Sequence, residues 1–101
     1  MYTRHQYLNS ECTHSDYYDQ FVTPAIKGIV LSRYSKRQLT DALAQDKHLN
    51  SIPLASWDGL GASLKATPTG LGEKMKEAGD YLTLAGIVCV LKAAAISIVN
   101  N

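Results

Sequence analysis

The chain has little of anything that would commit it to a specialised class. Its 101 residues hold only two cysteines and three prolines, and neither sign of charge dominates, with ten Lys and Arg against nine Asp and Glu. Two cysteines do not make the dense framework of a small disulfide-rich secreted domain. Cys12, in a polar stretch, and Cys89, in a strongly apolar one, therefore read as free thiols in a reducing cytosol. A formal net charge of +1 supplies no global field to steer the chain onto nucleic acid or an anionic membrane. It also excludes a DNA mimic, which needs a dense excess of carboxylates. The amino terminus, Met1-Tyr2-Thr3-Arg4-His5-Gln6, has no apolar run behind its positive charge, so no signal peptide is expected.

What is present is an ordinary globular composition, 46% hydrophobic and 19% charged. A chain of this length makes one domain that buries about 60–70% of the surface its unfolded form exposes. Residues 1–14 are polar and aromatic without a helical or strand period and read as an arm, with the domain proper over 15–101. Tyr2, Tyr7, Tyr17, Tyr18 and Phe21 crowd the first 21 positions, where amphipathic rings pack on the domain or on a partner.

The spacing of apolar residues and caps predicts an all-α fold of about four to five helices. Ser15, with Asp16 and Asp19 behind it, marks a helix start, and Thr23-Pro24 marks a second. Residues 15–34 are thus two short helices or one kinked helix. Ser35-Lys36-Arg37-Gln38 has the spacing of a capping box, which predicts a helix over about 36–46. Pro53 opens a segment in which Leu54, Trp57, Leu60 and Leu64 recur at helical spacing, weakened by Gly59 and Gly61. Lys65-Ala66-Thr67-Pro68-Thr69-Gly70 breaks the period and predicts an exposed loop. Leu71, Met75, Ala78 and Leu82 resume it, with a bend expected at Gly79-Asp80.

Leu82–Val99 is the most apolar stretch. Leu84, Val88, Leu91, Ala95 and Ile98 form one stripe, and the small residues Ala85, Cys89, Ala93 and Ser97 form another at every fourth position. A helix apolar on nearly all sides belongs at the centre of a domain, in an interface or in a membrane. Lys92 disfavours the membrane, since a lysine near a bilayer centre costs about 2.5–3.5 kcal/mol. No membrane association is expected.

Catalytic chemistry finds no purchase. His5, Cys12 and His14 offer at most three metal ligands from an arm and lack a paired second half, so no metal or other cofactor is expected. Cys12 and His14 are not held for proton transfer, and no third group orients the histidine. Gly59-Leu60-Gly61 and Gly70-Leu71-Gly72 lack the lysine and hydroxyl ending of a phosphate-binding loop. Glu73 and Glu77, flanked by Lys74 and Lys76, read as a solvated helix face. The chain is not expected to be an enzyme. The competing class is a helix-turn-helix regulator built from 36–46 and the helix after Pro53. The front of that second helix, Pro53-Leu54-Ala55-Ser56-Trp57-Asp58, is apolar and acidic, a poor reader of base edges. Direct nucleic-acid binding is expected to be weak, with Arg33, Lys36 and Arg37 the only grouped cations.

Taken over its whole length, with the aromatic amino terminus, the Ser35-to-Trp57 stretch and the Ala66-Thr67-Pro68-Thr69-Gly70 loop, the chain resembles the Abc-type anti-RecBCD modulators of lambdoid Salmonella phages. The resemblance implies a phage accessory protein of the host cytoplasm that binds the RecBCD helicase-nuclease through its RecC subunit. There it would alter the processing of DNA ends in favour of phage recombination. No compact family motif carries residue roles over. The candidate partner-binding residues therefore rest on composition and expected exposure: Tyr2 and Tyr7 in the arm, Arg33, Lys36 and Arg37, Trp57, and Thr67, Pro68 and Thr69 in the loop. The loop is expected either to touch the partner or to be captured by a host peptidyl-prolyl isomerase at Pro68, whose exposed peptide bond can populate about 5–30% cis.

Overall fold

In a computed structural model, which describes Cys12, residues 15–80 and residues 83–101, every described element is a helix. In chain order these are α1 (Ser15–Asp19), α2 (Pro24–Leu31), α3 (Lys36–Gln45), α4 (Leu54–Ala66), α5 (Leu71–Glu77) and α6 (Leu84–Asn100). The expected all-α class stands, with six helices among the described residues. The increment over four to five comes from two divided regions.

The first division is at 15–34. Val22-Thr23 interrupts the helix, the Thr23 hydroxyl accepts from the Ile26 amide, and Pro24 stands at the first turn of α2. The second is at Glu77, where the expected bend is a full break. Gly79 takes φ +81°, a conformation that costs an L side chain roughly 1–2 kcal/mol, and this stops α5. Ala78, expected on the buried stripe, is consequently exposed, while Leu82 lies outside the described residues.

The capping box is present as predicted. The Ser35 hydroxyl accepts from the Gln38 amide at 3.2 Å, and the Ser35 amide donates to the Gln38 side-chain oxygen at 2.8 Å. At the other end of α3, the Asp46 carboxylate accepts from the amides of His48 (2.9 Å) and Asn50 (3.1 Å). This clasp holds Leu49 at φ +60° while its side chain is fully buried. Burying the leucine, at about 2 kcal/mol, offsets the left-handed backbone.

All of this is arranged around α6. Helices α1, α2, α3 and α4 each pack on it, and twelve of its residues are buried, Ile87, Val88, Val90, Leu91, Ala94 and Ala95 among the most completely. The all-round apolar pattern is therefore that of a central helix, and no described helix is long and apolar enough to cross a membrane. Gly61 lets α4 approach closely, since a Cβ there would lie 3.0 Å from Leu84 Cδ1. Lys92 is the exception on α6. It is 5% exposed with no ion-pair partner among the described residues, and burial pushes its ammonium pKa down, partly countered by the Asp46 carboxylate.

Candidate functional site

The turn from α2 to α3 gathers the grouped cations. Arg33 lies in the turn, and Lys36 and Arg37 occupy the first turn of α3. All three are exposed, and among the described residues none pairs with a carboxylate. Cations at a helix start oppose the helix dipole, so the stability of α3 does not account for Lys36 and Arg37, whereas Arg33, just past the C-cap Ser32 of α2, stands at a negative helix end that favours it. Lys36 has a structural use: its Nζ donates to the Asn101 backbone carbonyl at 3.1 Å, which places a cation at the negative end of α6. Arg37 has no such compensation among the described residues.

The turn is docked rather than loose. The Tyr34 ring sits 6.3 Å from that of Trp57, and the Arg33 guanidinium lies over Gly59 of α4. Leu31, at the end of α2 and two residues before Arg33, is 47% exposed. It was absent from the expected surface because it reads as one more apolar residue of a short helix. Its position at the carboxy-terminal end of that helix is the only signal that could have singled it out.

Trp57 corrects an expectation. It is 1% exposed, so its ring belongs to the core and supports the turn from beneath instead of meeting a partner. Its indole N–H and the Asp58 Oδ1 are buried without hydrogen-bond partners among the described residues. The α4 pattern explains the burial, since Trp57, Leu60 and Leu64 point at the core while Leu54, at the helix start, is 39% exposed.

Thr67 and Pro68 are exposed and Thr69 is half-buried, in the loop between α4 and α5. The loop walls an open cleft of about 350 Å³ whose floor is Leu64, Leu71 and Ile87, with Lys65 and Glu73 at its rim. All described peptide bonds, including that of Pro68, are trans. None of Arg33, Lys36 and Arg37 lines this cleft, so the basic turn and the proline loop are separate features. Tyr2 and Tyr7 lie outside the described residues, as do His5 and His14.

Cys12 is not a free thiol. It forms a disulfide with Cys89, with a Cα–Cα distance of 5.3 Å across 77 positions of sequence. The free-thiol reading failed because sequence separation hid a spatial neighbour: Cys12 lies against Cys89 of α6. With its sulfur bonded, Cys12 is lost to the metal constellation considered with His5 and His14. Among the described residues no group of His, Cys, Asp and Glu could hold a metal ion.

Comparison with known proteins finds no matching family model, no matching curated protein and no matching solved structure.

Proposed function

We propose that this chain is a protein-docking modulator of the Abc type, which binds host RecBCD through RecC in the host cytoplasm and shifts its processing of DNA ends towards phage recombination. The observation that carries the docking reading is the exposed α2–α3 turn. It presents Arg33 and Arg37, without carboxylate partners among the described residues, on the connection that follows the exposed Leu31. An exposed apolar side chain and two arginines without carboxylate partners on one helix–helix connection suit the acidic rim and apolar centre of a protein interface. The resemblance over the whole chain supplies the identity of the partner. The Pro68 loop is the second contact in this reading, either on RecC or on a host prolyl isomerase.

The helix-turn-helix alternative has less in its favour. In that motif the two helices brace each other, whereas here α3 and α4 each pack chiefly on α6. The basic side chains also precede or start the first helix of the pair rather than the second, where a base-reading helix would need them.

The test is co-elution of the purified protein with purified RecBCD and with RecC alone, beside a titration on linear duplex at physiological salt. Binding to RecC that is lost in Arg33→Glu/Arg37→Glu supports the proposal. Sequence-dependent nanomolar binding to duplex, with no binding to RecC, contradicts it and favours the regulator.

A further inference from the structure

α1 is five residues long, far below the length at which a helix is stable by itself. What holds it against α6 is a set of anchors on either side. Tyr18 and Phe21 are buried, and the Tyr17 ring meets both edge-on. The Tyr17 hydroxyl donates to Asp80 Oδ2 at 2.7 Å. On the amino-terminal side the covalent anchor is the bond from Cys12 to Cys89. On α6, Ala85 and Ala93, one turn either side of Cys89 on the same face, are buried with it.

We infer that Cys12–Cys89 is a redox latch: oxidised, it pins Cys12, and with it α1, on α6, and reduced, it lets α1 leave that helix and uncover the apolar face beneath. The two sulfurs are unequal. Cys89 is 1% exposed, whereas Cys12 is only partly buried. The attacking thiolate of a dithiol reductant therefore reaches the Cys12 sulfur, breaks the S–S bond and expels Cys89 as a thiolate, which takes a proton. The second thiol of the reductant then attacks its own sulfur in the mixed disulfide and releases Cys12 as a thiol. Two electrons and two protons pass to the protein, and the reductant leaves as its disulfide. Oxidising and reducing compartments then hold two surfaces of one chain, a property independent of the partner proposed above.

The experiment is hydrogen exchange on the isolated protein, oxidised with glutathione disulfide and then reduced with dithiothreitol, with free thiols counted by alkylation under denaturing conditions. The oxidised form should carry no free thiol and the reduced form two. Exchange over residues 15–19 should speed up at least tenfold on reduction, while Ile26–Val30 and Leu39–Ala42 keep their protection. Cys12→Ser, at the more exposed of the two positions, should exchange like reduced wild type in either buffer. Two free thiols after oxidation, or equal protection of 15–19 in both forms, would overturn the latch.

Discussion

The Arg33 guanidinium lies so close over Gly59 that a Cβ at residue 59 would stand 2.9 Å from Nη1. The obstructed group is the far end of a flexible side chain, so Gly59→Ala displaces the guanidinium without disturbing the backbone. Within α4 the same change favours the helix by about 1 kcal/mol. The variant should melt at or above the wild-type temperature and yet bind RecC more weakly. A calorimetric scan and a binding titration, compared on one preparation, check both halves. A variant that melts higher and binds normally would show that the placement of Arg33 is irrelevant to docking.

Leu91 is completely buried on α6, where helices from both halves of the chain meet. Leu91→Ala should cost about 2–5 kcal/mol, a large share of the stability of a domain this size. Denaturant unfolding measures it. An unchanged midpoint would mean that α6 is not the centre of the fold.

Lys92 stands in the same helix with its pKa held below the ordinary 10.5, by burial first and against the pull of Asp46. The unfolded chain keeps its proton to the ordinary value while the folded chain releases it earlier. Between those two values stability rises with pH, and below them the cost of the buried charge is present in full. Lys92→Met, of similar length, should therefore melt above the parent at neutral pH, where the cost of the buried charge is present. The Tm difference between variant and parent should shrink as pH climbs towards 10.5. A variant that melts lower at pH 7 would show that the ammonium is well solvated or paired.

Pro68 is exposed and its ring only walls a cleft, so Pro68→Ala should leave Tm within a few degrees of wild type. In the proposed function the same change weakens or slows the effect on RecBCD in cells. Thermal melting together with a phage recombination assay separates the two, and full activity would remove the loop from the contact surface.

Much of the fold was legible because it rests on local chemistry. The Ser35 box, the Thr23-Pro24 start and the Pro68-Gly70 break each act within four residues, and each falls where the spacing places it. The all-round apolar pattern of 84–99 announced a buried helix for the same reason. What escaped was non-local. Nothing near Cys12 points to Cys89, whereas Trp57 shares the apolar stripe of Leu60 and Leu64, which already marks the core face of α4. At Gly79 the apolar spacing continues and predicts only a bend, although the helical backbone does not continue.

The central claim, that this chain acts by docking on RecBCD, is tested most directly by the degradation of linear duplex by purified RecBCD, titrated with the purified protein at physiological salt. The account predicts a saturable change in DNA-end processing that reaches its limit near a fixed stoichiometry, disappears with Arg33→Glu/Arg37→Glu, and leaves an unrelated exonuclease untouched. Unchanged RecBCD activity at a large excess of the protein, or an equal effect on the unrelated nuclease through the DNA itself, would contradict it.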